Sequence, residues 1–571
     1  MINNLANDPS PYLQQHKNNP VHWQLWSKDT LDLAKKQKKP ILLSIGYSSC
    51  HWCHVMAHES FEDKETADVM NKYFINIKVD REERPDIDFI FQSSFQLFNQ
   101  SGGGWPLTMF LDERGIPFMG GTYFPKEEKN GLPSFKTILQ KVSEAYTEQR
   151  EKIINQSILI NKSLELKKNA VIKQEIEPII DSVIDNLDPI RGGYKGSPKF
   201  PIFNVYDTLL YFFNKKKSDR YLKPVKLVLK QLCSQGIYDH VEGGISRYTV
   251  DEDWLIPHFG KMLYDNVQCI SLLSKYSKIQ KNEYFINKTK QTIEFLNNNF
   301  LNGEFDLLGS AYDADSEGVE GKYYVYEYSE IKHIKDLEKY FEIKPEGNWE
   351  KKIILKELSV PTNSVLEELI KIRKTKKKPF FDNKTQLDLN SLWVSSLIQA
   401  NSILPEQGYL KLAEKFCSHI ESKFCKNSLY HSYSKNLVFI EDYAYFIQML
   451  LDLSDATLNI KYRIKAKETS YEAIKYFYIS DKNIFQKNKI LENDIFFNPI
   501  DISDHTIPNG NSIMLMNFTR LGLIEEGKKL HESLNGYLNV YKNYMTSSLK
   551  SLDYFNETLN GKKCDEEGCS R

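Results

Sequence analysis

The chain has 571 residues, 41% of them hydrophobic and 26% charged, with a formal net charge of −1; that balance gives no electrostatic reason to expect nucleic acid or an anionic membrane as partner. No apolar run approaches the ~18 residues of a membrane span, and Met1 to Pro11 lacks the basic and apolar regions of a signal peptide, so a cytoplasmic setting is expected. At ~150 residues per domain the length implies several domains, and eight cysteines are too few for a disulfide scaffold.

Helix and strand alternate through the first ~125 residues. Ser27 reads as the N-cap of a helix from Lys28 to Lys38, and Ile41 to Ile45 is a short apolar run suited to a buried strand. Cys50-His51-Trp52-Cys53-His54 follows, leading into a helix from Val55 to Tyr73. Phe74 to Val79 is a second strand, Ile87 to Phe98 a third helix, Leu107 to Leu111 a third strand, and Phe118 to Tyr123 a fourth after the Gly115-Ile116-Pro117 turn. Such alternation predicts a sheet covered by helices. Residues 127–175 read as a helical connector.

Beyond the connector, helical periodicity recurs at 176–187, 203–214, 222–236, 258–278, 283–299, 390–404, 408–424, 440–458, 461–478, 509–522 and 525–541, with a weaker segment near 329–341. Paired segments in this number predict six helical hairpins in a closed array, an open helical stack being the competing arrangement. The Lys371 to Lys378 run reads as a solvated loop. The expected division is therefore 1–126, 127–175, 176–560 and a Cys-containing tail, 561–571.

Cys50 and Cys53 stand one helical turn apart. A strand that hands over to a helix at Cys50 puts that thiol among unpaired N–H groups, where the macrodipole stabilises its thiolate. Cys50 is then the nucleophile and Cys53 the resolving thiol, with His51 and Trp52 shaping the space between them. Three other readings compete: the c-type haem string C-x-x-C-H, a zinc site from Cys50, Cys53, His54 and His58, and a reduced structural pair. Downstream, Trp105-Pro106 precedes an apolar strand where thioredoxin-like folds place a cis proline opposite the cysteines. Redox chemistry is the reading these features favour, without a metal or cofactor.

The densest pattern runs through Ser10-Pro11-Tyr12-Leu13, His16, Asn19-Pro20-Val21, Ser48-Ser49-Cys50-His51-Trp52-Cys53-His54, Val79-Asp80-Arg81-Glu82-Glu83-Arg84-Pro85-Asp86 and Gly103-Gly104-Trp105-Pro106-Leu107-Thr108. It resembles the spermatogenesis-associated protein 20 family, whose blocks continue thinly through Asp239-His240-Val241, Pro257-His258-Phe259, Ala311-Tyr312-Asp313-Ala314-Asp315 and Glu441-Asp442-Tyr443-Ala444. The resemblance implies a multidomain chain: an N-terminal α/β thioredoxin-like fold followed by an all-α (α/α)6 six-hairpin toroid similar to sugar epimerases and some glycosidases.

For such a toroid the expected pocket residues are His240, Arg247, Trp254, His258, Asp313, Asp315, Glu441, Asp442 and Tyr443, and the expected partners are a protein dithiol or disulfide client and a carbohydrate ligand. Two departures stand out. Gly260 replaces a family glutamate, and Ser44 stands where many thioredoxins have a buried acid that relays protons; His51 or a water is expected to take over that role. Cys564 and Cys569 read as a tail pair acted upon by Cys50 and Cys53, as a minor metal clip, or as neither, whereas Cys233, Cys269, Cys417 and Cys425 read as core residues.

Overall fold

The computed structural model describes all residues except 101, 130, 167–174, 426–427, 433–436, 490–493, 562, 566–567 and 571, and only the backbone of 563–565 and 568–570. The chain divides into two compact units. Residues 1–167, 434–439 and 486–500 form the first, and residues 168–433, 440–485 and 501–571 the second.

In the first unit the order is α1 (Pro11–Gln15), α2 (Lys28–Gln37), β1 (Ile41–Gly46), α3 (His51–Met56), α4 (Lys64–Tyr73), β2 (Ile75–Asp80), α5 (Pro85–Asn99), β3 (Leu107–Leu111), β4 (Pro117–Gly121), α6 (Phe135–Glu148) and α7 (Arg150–Ser163). The sheet order is β2-β1-β3-β4, with β1 parallel to β2 and β3 antiparallel to β1. Side chains alternate across a strand, so Ile41, Leu43 and Ile45 enter one core with Leu31, Ala34, Ile87 and Phe91. Leu42 enters the other with Tyr12, Trp23, Met56, Phe61 and Met70. Every residue of β1 and β2 is buried. The alternation of Ile75, Ile77 and Val79 with Asn76, Lys78 and Asp80 is therefore one of chemistry, not of exposure.

Two expectations are corrected here. The helix read from Val55 to Tyr73 is broken: α3 runs into a π turn over Ala57–Phe61, and α4 starts afresh after Asp63, whose carboxylate accepts the Thr66 N–H at 2.9 Å. The segment read as a connector packs instead. Phe135, Leu139, Val142, Tyr146 and Ile153 share the core that holds Tyr12 and Trp23, so α6 and α7 belong to the first unit.

The second unit carries α8 (Ile176–Asn186), α9 (Phe203–Lys216), α10 (Asp219–Ser234), α11 (Leu263–Ile279), α12 (Glu283–Asn299), the short α13 (Tyr328–Ile331), α14 (Leu337–Tyr340) and α15 (Asn363–Arg373), then α16 (Leu387–Asn401), α17 (Tyr409–Phe424), α18 (Ile440–Thr457), α19 (Ile460–Phe477), α20 (Gly510–Leu521), α21 (Ile524–Tyr541) and α22 (Thr546–Leu559). Helices α9, α11, α16, α18, α20 and α22 each pack on the next, and α22 returns to α9. Helices α10, α12, α17, α19, α21 and α8 pack outside α9, α11, α16, α18, α20 and α22 in turn. This is a closed (α/α)6 toroid, and it excludes the open stack. The segment near 329–341 is not a member of either ring; α22, absent from the sequence reading, closes the inner one. Among the described residues no helix is long and apolar enough to cross a membrane.

Candidate functional site

Cys50 ends the β1 loop as the N-cap of α3, in extended backbone (φ −91°, ψ 99°), and its sulfur accepts the Cys53 N–H at 3.2 Å. The two cysteines are joined in a disulfide with a Cα–Cα distance of 5.2 Å. Cys50 is 4% exposed and Cys53 2%, whereas Trp52 beside them is 50% exposed. Trp52 lies against Tyr123 at 5.2 Å and against the His51 ring at 5.8 Å. The Trp105–Pro106 peptide is cis. Trp105 is fixed from three sides: its Nε1 donates to Asp88 at 2.8 Å, Tyr47 meets it edge-on at 5.7 Å, and the Arg81 guanidinium covers its face at 3.9 Å. His54 Nε2 donates to the Ser48 carbonyl at 3.0 Å, and exposed His58 pairs with Glu62 at 3.1 Å. The four residues of the zinc reading are thus committed elsewhere.

Behind the cysteines, the sheet presents polar groups where a core is expected. Lys78 is 2% exposed, and its Nζ donates to Ser44 Oγ at 3.2 Å, directly across the β1–β2 ladder. The Phe61, Tyr12 and Trp23 rings surround that nitrogen at 4.6, 5.1 and 5.1 Å. Burial pulls the Lys78 ammonium down to about 7. His16 is held well below its ordinary value by burial and then by Lys78, and burial raises the Tyr12 hydroxyl, with Asp80 adding to the rise. Tyr12 Oη and His16 Nε2 are buried without a hydrogen-bond partner.

In the toroid, a cavity of ≈ 950 Å³, its open mouth included, is lined from all six inner helices by residues such as Phe203, Gln268, Leu392, Tyr445, Ile513 and Ser547. Asp207 on its wall bridges Lys275 and Lys550 at 2.7 Å each. Burial pushes that carboxyl up, but the two ammonium groups outweigh it and hold it well below the carboxylate range. In the first turns of α16 and α18, Asp388 and Asp442 meet His431, their donor atoms all within 4.8 Å of one another. His431 Nδ1 lies 2.9 Å from Asp442 Oδ1, and its Nε2 lies 3.1 Å from the Gln386 amide nitrogen. An amide donor at Nε2 makes that nitrogen the acceptor and leaves the proton on Nδ1, facing Asp442. Burial pushes Asp388 up to about 7; His431 pulls against the rise, and Asp442 and Glu441 add to it.

A family model described as Thioredox_DsbH, protein of unknown function, DUF255, matches residues 2–165. The uncharacterized protein B0495.5 of Caenorhabditis elegans is 30% identical over 612 residues, which cover 93% of this chain and 82% of that protein. Spermatogenesis-associated protein 20 of Rattus norvegicus is 29% identical over 601 residues, covering 91% of this chain and 75% of that one. The chain belongs to the spermatogenesis-associated protein 20 family. Among solved structures, cellobiose 2-epimerase from Bacillus thermoamylovorans B4167 is similar at 11% identity and a TM-score of 0.43, over 65% of this chain and 86% of that one.

The family's blocks in the toroid do not converge on one pocket. His240 is an internal strut: its Nε2 donates to the Gln235 carbonyl at 3.0 Å, and its Nδ1 lies 3.2 Å from Glu357. Trp254 is wholly buried and donates to the Arg191 carbonyl at 2.9 Å. Arg247 pairs with Asp265 at 3.2 Å and lies over Phe200 and Tyr264, while His258 stacks on Tyr248 at 4.9 Å. Gly260 accepts the Arg247 N–H at 2.9 Å through its carbonyl. Asp313 caps its own turn by accepting the Asp315 N–H at 3.2 Å. Tyr443 faces Phe477 at 5.3 Å; two residues on, roughly half a helical circuit round, Tyr445 lines the cavity instead. Glu441 and Asp442 lie beside Asp388 and His431, which escaped the sequence reading. The signal was an acid in the first turn of an apolar helix. Cys564 and Cys569 face one another across a backbone ladder, and their side chains lie outside the described residues.

Proposed function

We propose that this protein is a thiol–disulfide oxidoreductase working in the cytoplasm, with a toroid that binds its client or a carbohydrate ligand. One observation carries the reading: a Cys50 sulfur at the N-cap of α3, bonded to Cys53, on a sheet whose β1 pairs with the strand that follows the cis Trp105–Pro106 peptide. In the client-reducing direction, the Cys50 thiolate attacks a partner disulfide and one partner thiolate leaves. Cys53 then attacks the Cys50 sulfur, the second partner thiolate leaves, and two electrons have passed to the client. An attacking sulfur exposed by only 4% suits an extended client segment better than a bulky one.

The test is a Cys53→Ser variant of the full chain, which should hold clients as mixed disulfides through Cys50. The reduction potential of the pair should fall between about −270 and −120 mV. No trapped client together with no reaction towards small disulfides sinks the reading.

A second reading, an acid–base enzyme acting on a carbohydrate, is favoured by the buried Asp388–His431–Asp442 group, whose Asp388 lies about one helical turn before cavity-lining Leu392. A buried carboxyl whose proton affinity is raised, beside a histidine, is what general acid–base chemistry uses. It predicts turnover that His431→Ala abolishes and Cys50→Ser leaves intact.

A further inference from the structure

Gly46 ends β1 beneath the cysteine pair, and its missing side chain lets two other groups come down onto the strand. A β-carbon built there would stand 2.2 Å from Tyr12 Oη and 2.8 Å from Cys53 Sγ. Hydroxyl and sulfur therefore lie no further apart than those two distances laid end to end. The short helix α1 holds Tyr12 in place. Ser10 caps it by accepting the Leu13 N–H at 3.3 Å, and donates its own hydroxyl to Asp80, the last residue of β2, at 2.6 Å. Tyr12 is fully buried, and in the disulfide form its Oη makes no hydrogen bond. Asp80, on the adjoining strand, also accepts the Glu82 N–H at 2.9 Å. Lys78 lies over the face of the Tyr12 ring at 5.1 Å, and His16 meets that ring edge-on at 5.1 Å with its Nδ1 turned to Asn19. Burial keeps the hydroxyl protonated, with Asp80 adding to the effect, so it stays a donor.

We propose that Tyr12 donates a hydrogen bond to the Cys53 sulfur once the disulfide opens, and that this contact draws the pair towards its reduced form. The inference rests on the thiol–disulfide reading above and names the residue that sets how strongly the pair oxidises. In the opening step a thiolate of glutathione attacks Cys50 Sγ, the Cys50–Cys53 bond breaks, and its electron pair stays on Cys53 Sγ. A sulfur that has just gained charge accepts a hydrogen bond far better than one half of a disulfide does, and the Tyr12 hydroxyl has no other partner. A second glutathione thiolate then attacks the glutathione sulfur bound to Cys50. Oxidised glutathione departs, Cys50 is left as a thiolate, and two electrons have passed to the pair. The disulfide form thus carries a buried donor with nothing to bind, and the reduced form does not; leaving such a donor unmatched is costly. Tyr12 keeps its proton throughout, so its action falls on the equilibrium between the two forms.

The experiment uses the full chain with Cys564→Ser and Cys569→Ser, equilibrated in mixtures of reduced and oxidised glutathione. Alkylation and mass spectrometry of the peptide holding Cys50 and Cys53 read the reduced fraction. Tyr12→Phe removes the hydroxyl and keeps the ring. It should shift the equilibrium about tenfold towards the disulfide, a fall in reduction potential of about 30 mV. A chain with 3-fluorotyrosine in place of Tyr12, a stronger donor of nearly the same shape, should shift it the other way. An equilibrium constant unmoved by Tyr12→Phe overturns the proposal, even where the melting temperature changes, because a merely structural hydroxyl affects both redox forms alike. Should Tyr12→Phe fail to fold by circular dichroism, the 3-fluorotyrosine chain decides: a shift towards the dithiol supports the proposal, and no shift or the opposite one overturns it. A folded wild type whose pair neither glutathione nor dithiothreitol reduces overturns the thiol–disulfide reading itself, and this proposal with it. A pair that titrates at one potential in wild type and Tyr12→Phe overturns the proposal alone.

Discussion

Replacing Lys78 with Met should make the first unit more stable at neutral pH. The folded-state value of about 7 lies below the ordinary lysine value of 10.5, so between those two pH values the unfolded chain binds a proton that the folded chain does not. Stability therefore rises with pH across that window, and the group's penalty is full below pH 7 and gone above 10.5. Each pH unit of separation is worth about 1.4 kcal/mol, which places the penalty near 4 kcal/mol at pH 7 and about 2 kcal/mol at pH 9. Met keeps the volume, and its thioether suits contact with the Phe61, Tyr12 and Trp23 rings, so most of that penalty should appear as a gain. Because the chain has two units, one transition does not describe it; the assay is urea titration read by deuterium uptake in peptides covering Ile41–Gly46 and Ile75–Asp80. Subtracting wild type from variant at each pH removes the titration of every other group. A difference that is flat from pH 7 to pH 10.5 refutes the picture of an unpaired, desolvated lysine.

Three more consequences can be measured. Gly46→Ala drives a methyl into Cys53 Sγ and Tyr12 Oη; overpacking of this kind costs about 1–3 kcal/mol, and an unchanged melting temperature for the first unit argues against the packing. Arg84 holds fully buried Asp86 at 2.7 Å and Asp494 at 2.8 Å, so Arg84→Met strands a carboxylate and should cost about 3–5 kcal/mol in urea. Adding Asp86→Leu should recover most of it, and no recovery would mean the loss came from shape. Asp388 is pushed up to about 7 from 3.8, so the folded chain keeps a proton that the unfolded chain releases between those values. The penalty therefore grows as pH rises through that window and is full above 7. Asp388→Asn should stabilise the toroid at pH 8, by a margin that falls by roughly half or more at pH 5; equal margins at both pH values refute the assignment.

What could be read in the sequence follows from which signals are local. Strand β3, from Leu107 to Leu111, emerges with the bounds expected of it, because a glycine run and a proline punctuate an apolar stretch. Helix α12, Glu283–Asn299, does so because Asn282 caps it and its apolar face is regular. Helix α22 escaped for the opposite reason. Its Ser547, Ser548 and Ser551 are buried, so a polar, low-propensity stretch is held helical by packing between its ring neighbours α20 and α9 rather than by its own pattern. The functional residues divide in the same way. Cys50 and Cys53 announce themselves by spacing, and a cis proline opposite them is a family expectation that a single Trp-Pro dipeptide can carry. Lys78 cannot be found so. In sequence it is the polar member of an alternating strand, a pattern that ordinarily means a half-solvated sheet; only the Tyr12, Trp23 and Phe61 rings packed over that face make it a buried amine. Asp388 and His431 lie 43 positions apart and meet because α16 and α18 are neighbours in a closed ring. Chemistry carried by one turn of chain is therefore legible before folding. A group whose proton affinity is set by the elements laid across it becomes visible only once those elements are in place.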